Sequence, residues 1–224
     1  NEVCEKTRPR KMTKEATTAL KEDQYEEDDF NSSTVIPDHD YCRLRSNWVL
    51  ELQSPELMPY ETELVSLEME LLEAQEDALD TIQSKDFMDI LMSQVYRLDL
   101  ERTKFILSDL LTTRLNKLED HVFYNRTQIH RMSDYEVSHL TEYGELLEKH
   151  FHRTVLDYIP KEAWRKLDNP EMIDKPDFNR FVFCKVLKDD VEIDDQYHSQ
   201  GSYLIARYET IQSHVMENQI ELLL

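Results

Sequence analysis

Two glycines in 224 residues, Gly144 and Gly201, constrain this chain more than any other feature. Glycine is the residue that enters left-handed backbone without steric cost, and a many-turned β fold consumes it steadily. A chain so short of it is expected to be built from long helices. The length suits one large or two small domains, with room for a real core.

The hydrophobic pattern agrees along most of the chain. Residues 41–53 ("YCRLRSNWVLELQ") space Leu44, Trp48 and Leu52 four apart, and Pro55 and Pro59 follow. Residues 60–84 repeat Leu64, Leu67, Leu71, Ala74 and Ala78 at three and four, the mark of one buried face. The longest helix is expected over 86–120. After a polar connection, "SDYE" sets Ser133 as N-cap with Glu136 three residues on, a capping box. The helix behind it aligns Val137, Leu140, Gly144, Leu147 and Phe151. Gly144 lowers helix propensity there, so a close approach of another element is expected, and the helix should end before Pro160.

The pattern changes at residues 167–177, "LDNPEMIDKPD", which read as a linker with two prolines. Beyond it "FNRFVFCKV", "SYLIARY" and "QIELLL" carry strand signatures. The expected architecture is therefore mainly α: a polar tail over 1–40, a helical domain over 41–166, the linker, and a small β-rich domain over 178–224. The last is too small to be comfortable alone and should lean on something else. The tail runs from Arg8, Arg10, Lys11 and Lys14 into "EDQYEEDDF". It buries too little apolar surface to offset ordering entropy, unless Tyr25 and Phe30 anchor it on a partner.

The formal net charge of -21 disfavours direct duplex binding by this chain alone and favours a basic partner surface. Three scattered cysteines without a C-x-x-C suggest a reducing, intracellular setting. In that setting the Asn125-Arg126-Thr127 sequon reads as chance. No apolar run approaches the ~20 residues that span a bilayer. Phosphate-cradling glycine loops and the G-x-S-x-G elbow are absent from the sequence. Glu136-x-x-His139 has the spacing of a di-iron helix motif but lacks the second such pair that those sites need. No catalytic pair, metal site or cofactor is expected.

The segment "LERTKFILSDLLTTRLNKLE", residues 100–119, poses a question. Leu100, Leu107, Leu110, Leu111, Leu115 and Leu118 share one arc, but Lys104 and Arg114 fall inside it, and Leu98, Phe105 and Ile106 lie opposite. Such a helix is apolar on two faces and belongs between neighbours, in its own chain or in another. Arg114 has two principal readings: an edge residue with its stem packed and its head in water, or a register-fixing ion pair at a helix interface, within the chain or between subunits.

Residues 94–119, "QVYRLDLERTKFILSDLLTTRLNKLE", resemble the long helix of GINS subunits. "NWVLELQSPELMPYE" (47–61), "MSDYEVSHLTEY" (132–143), "YIPKEAWRKL" (158–167) and "DKPDFNRFVFCKV" (174–186) are similar to passages of the SLD-five type. Together they run over residues 44–224, in the order helical domain then β-rich domain. The resemblance implies a non-catalytic, nuclear subunit of the GINS heterotetramer. It implies three sister subunits as partners and, through the assembly, the MCM ring and the Cdc helicase cofactor of the CMG helicase. On that basis Leu100, Lys104, Leu107, Leu111, Arg114, Leu115 and Leu118 are expected to face a sister subunit. Phe181, Phe183, Tyr208, Ile220, Leu222 and Leu224 are expected to pin the β-rich domain to the tetramer. The tail, through Tyr25 and Phe30, is a candidate ligand of a replisome hub. The competing reading is a free-standing helical adaptor outside replication.

Overall fold

The computed structural model describes residues 38–81, 87–160, 167 and 173–224. Three helices begin the chain: α1 (Asp38–Gln53), α2 (Thr62–Thr81) and α3 (Phe87–Asp120). Leu44 of α1, Leu64, Val65 and Leu72 of α2, and Leu100, Ile106, Leu107 and Leu110 of α3 close one core, with Tyr41, Trp48 and Leu111 at its margin. The Trp48 indole N–H donates to Asp109 at 2.7 Å. At 1.5 Å per residue the 34-residue α3 is about 50 Å long. Its buried residues begin only at Leu100, so the first third of the helix stands clear of the bundle.

A short α4 (Val122–Asn125) and a 3-10 turn at Ile129–Arg131 lead to α5 (Asp134–Thr154). The capping box is present: Ser133 Oγ accepts the Glu136 N–H at 3.3 Å, and Glu136 Oε2 accepts the Ser133 N–H at 2.9 Å. Leu57, Leu118, Val122 and Leu140 form a second core beneath α5. The close approach at Gly144 is also there. A Cβ at this position would run into the Arg126 guanidinium, which crosses the helix to reach Glu148, and would crowd Val122 Cγ1 at 3.2 Å. α5 ends at Thr154, and a 3-10 turn at Leu156–Tyr158 precedes Pro160.

The C-terminal part is a three-stranded antiparallel sheet in the order β4-β1-β5, formed by β1 (Phe181–Val186), β4 (Tyr203–Arg207) and β5 (Ile220–Leu222). Two elements appear that the sequence reading did not contain. One is the hairpin of β2 (Val191–Ile193) and β3 (Gln196–His198); the other is α6 (Tyr208–Met216) between β4 and β5.

The shortage of glycine does not remove tight turns, because aspartate and asparagine make them. Asp194 (φ 50°) and Asp195 (φ 62°) form the two-residue loop of the β2–β3 hairpin. Positive φ at both positions is the type I′ geometry that matches strand twist. Asn218 (φ 53°) ends α6, with its N–H donated to the Val215 carbonyl and that of Gln219 to the His214 carbonyl. That pair of bonds is a Schellman cap. Asp195→Gly removes the steric cost of left-handed backbone and is expected to stabilise the chain by about 0.5–1 kcal/mol. A lower thermal midpoint in the variant would refute this account of the turn.

The sheet does lean on something: its own chain. The loop between α1 and α2 places Met58 in the core made by Val182, Cys184, Val186, Ala206, Tyr208, Ile211 and Ile220, with Leu50 of α1 packed alongside. Phe178, at the end of the linker, lies edge-on to Tyr124 of α4 and stacks on Tyr208. Burial raises the Cys184 thiol to about 11.

Candidate subunit interface

Arg114 lies neither at the stripe's edge nor against another subunit. It is 2% exposed, and every one of its five N–H donors is used within the chain. Nε and Nη2 grip Glu136 bidentately at 2.7 and 3.1 Å. Nη1 donates to Glu51 Oε2 and to the Met58 carbonyl, both at 2.8 Å, and Nη2 to the Arg131 carbonyl at 3.0 Å. Its guanidinium carbon sits 5.1 Å from the centre of the Tyr60 ring. Burial alone would lower the Arg114 pKa, but its bonds to Glu136 and Glu51 outweigh that and hold it above the ordinary value.

One turn further along α3, Lys117 Nζ donates to Glu51 Oε1 at 2.7 Å and to Ser54 Oγ and the Glu56 carbonyl at 3.0 Å. Burial pulls the Lys117 ammonium below its usual range, partly offset by Glu51. Arg131 Nη1 donates to Glu56 Oε2 at 2.6 Å. The other oxygen of Glu56 accepts the Tyr208 hydroxyl at 3.0 Å and the Gln212 amide at 2.6 Å. Burial, then the Glu56 carboxylate, push the Tyr208 hydroxyl far up. Three cations thus meet three carboxylates in one satisfied network that joins α1, α3, α5, the α1–α2 loop and α6. Tyr208→Phe leaves Glu56 one donor short. It is expected to cost about 1–2 kcal/mol and to speed amide exchange across the β1–β5 ladder roughly tenfold, measured by native-state hydrogen exchange.

The geometry corrects the expected interface. Leu100, Leu107, Arg114 and Leu118 are consumed by the chain's own cores, because α1, α2 and α5 cover that face of α3. Leu111 is half-buried against the α1–α2 core, Lys104 pairs with Glu76 of α2 at 2.8 Å, and Leu115 remains exposed. In the C-terminal part, Tyr208 of α6 and Ile220 and Leu222 of β5 point inward, into the core that Met58 completes. Phe181, Phe183 and Leu224 are exposed. Tyr25 and Phe30 lie outside the described residues. Glu136, half of the di-iron spacing, faces Arg114, while His139 meets Glu119 at 3.0 Å.

A further apolar surface is available on α3. Phe87, Met88, Ile90, Leu91, Met92 and Val95 are exposed around most of the projecting end of α3, leaving one polar stripe of Asp89, Ser93 and Arg97, and Leu98 (65%) and Phe105 (61%) continue the apolar surface. An apolar face this broad on a projecting helix calls for a partner to cover it. The sequence signal was present in "FMDILMSQVYRL" (87–98), where apolar residues cover about two thirds of the helix circumference. Among the described residues no helix is long and apolar enough to cross a membrane, and no cluster of histidine, cysteine and carboxylate is placed to hold a metal.

Comparison with known proteins gives this surface its context. Residues 11–155 match the family described as GINS complex protein helical bundle domain, and residues 176–223 match the DNA replication complex GINS protein SLD5 C-terminus. The chain belongs to the SLD5 family of GINS proteins. The DNA replication complex GINS protein sld5 of Schizosaccharomyces pombe is 27% identical over 207 residues, 85% of this chain and 94% of the relative. The GINS protein SLD5 of Arabidopsis thaliana gives the same identity and coverage. That of Rattus norvegicus is 28% identical over 200 residues, 81% of this chain and 87% of the relative. Residues 156–175, which include most of the linker, lie between the two family matches, and the ion-pair network described above ties one matched region to the other.

Proposed function

We propose that this chain is a non-catalytic structural subunit of the GINS heterotetramer, acting in the nucleus in DNA replication. In that reading it joins three sister subunits and, through them, scaffolds the MCM ring and the Cdc helicase cofactor in the CMG helicase. The observation that carries the reading is the projecting end of α3, with its broad exposed apolar surface over residues 87–98. Exposed apolar surface on this scale marks an association site, and membership of the SLD5 family of GINS proteins supports other GINS subunits as its occupants. The Arg114 network serves this role indirectly, by holding the base of α3 rigid on the bundle and the sheet.

The test is the mass of the full chain purified alone and after co-expression with its three sister subunits. A monodisperse 1:1:1:1 assembly is expected from the co-expressed subunits. A folded monomer or homo-oligomer that ignores the other three would overturn the proposal and favour the free-standing adaptor.

A further inference from the structure

Glu68 is the unexplained group in this structure. It lies on the inner face of α2 with Leu64, Val65 and Leu72, and is 0% exposed. Neither carboxylate oxygen has a hydrogen-bond partner. A buried carboxylate with no partner costs several kcal/mol and is rare in native structures. Burial raises its pKa, and the Asp40 carboxylate of α1 raises it further. Asp40 is itself half-exposed, so a carboxylate near the surface stands within electrostatic reach of the buried one. Two cations on the neighbouring helices are engaged elsewhere: Arg43 with Glu61 and Lys104 with Glu76, both at 2.8 Å. Leu67 and Met69, the residues flanking Glu68 on α2, are large and exposed.

We infer that Glu68 is the receptor for a cationic side chain of a sister subunit, an arginine whose guanidinium enters between α1 and α2 and meets Glu68 at its end. A guanidinium satisfies a buried carboxylate bidentately, and its long stem is apolar enough to pass Leu67 and Met69. The charge fits as well, since a chain of net charge -21 calls for basic partners. This inference rests on the subunit reading above.

The test is Glu68→Gln, a near-isosteric change that keeps the fold, measured in two settings. In the isolated full chain it removes an unpaired charge, so the urea midpoint should rise at pH 7.5. The gain should vanish toward pH 4: a carboxyl whose folded pKa is raised supports the fold below its unfolded pKa and loses that support as pH rises through the folded value. In the four-subunit assembly the same change removes half of an ion pair, so the subunit should dissociate at least tenfold more readily. The opposite signs are the signature. If Gln strengthens or leaves unchanged both the isolated chain and the assembly, Glu68 is a protonated core residue and the inference fails alone. If Gln weakens the isolated chain, a cation of the chain itself already occupies the place, and the inference fails. If the wild-type chain does not assemble, the subunit reading falls first and takes this inference with it.

Discussion

Arg114→Leu is expected to be among the most damaging single substitutions in the chain. It leaves Glu136 and Glu51 buried beside Lys117 alone, and frees the carbonyls of Met58 and Arg131 from their donor. Breaking one partner of a buried ion network costs about 3–5 kcal/mol, a large share of a total of about 5–15 kcal/mol. The urea midpoint should collapse, and the loss should reach the sheet, because the Met58 carbonyl is held by Arg114 while its side chain fills the sheet core. Arg114→Lys keeps the charge but supplies three donors for five acceptor bonds, so it should recover only part of the loss. Equal stability of the leucine variant and the wild type would mean that the network contributes nothing net. That outcome is known for buried ion pairs replaced as a whole by apolar groups, but not for removal of a single partner.

The second large effect is on assembly and leaves the fold alone. Leu91 and Leu98 stand two turns apart on the projecting end of α3, both exposed. Leu91→Glu with Leu98→Glu should leave the chain's own urea midpoint within about 0.5 kcal/mol, since neither side chain touches a core of this chain. If this surface is buried between subunits, each substitution desolvates a carboxylate without a partner. A loss of at least about 2 kcal/mol apiece, or roughly a thousandfold together, is then expected in subunit affinity. Analytical ultracentrifugation of the co-expressed subunits reads it directly. Intact tetramer at micromolar concentration would move the interface off this helix.

The contrast between these two experiments explains what the sequence disclosed and what it withheld. The helices were legible because Leu44, Leu64 and Leu107 repeat at helical spacing and Ser133 and Glu136 cap α5. The three main strands were legible from runs such as "FVFCKV". Helix α6 was not, since it follows β4 without a glycine, a proline or a capping side chain: Arg207 is its N-cap and makes no cap bond. The β2–β3 hairpin was hidden by its Asp-Asp turn, which lacks the asparagine–glycine signature. Arg114 was conspicuous, but its partners stand 22 and 63 residues away, so no periodicity could name them. The choice between the two apolar faces of α3 failed for the same reason. Periodicity shows that both faces exist, whereas the positions of α1, α2 and α5 decide which one is already covered.

The bond between Glu56 and Tyr208 spans 152 residues, and this separation sets an order of events during synthesis. Contacts so distant in sequence close late, since the chain entropy between them must be given up first. Until the C-terminal segment has left the ribosome, Glu56 can meet Arg131 but neither Tyr208 nor Gln212, and Met58 has no sheet to enter. The helical part must therefore wait, with an apolar side chain and a half-satisfied carboxylate presented at its surface, for the last strand to arrive. A nascent chain arrested before Ile220 is in that respect an exposed intermediate. The same loop that joins the two halves of the finished protein is the point at which a chaperone would find the unfinished one.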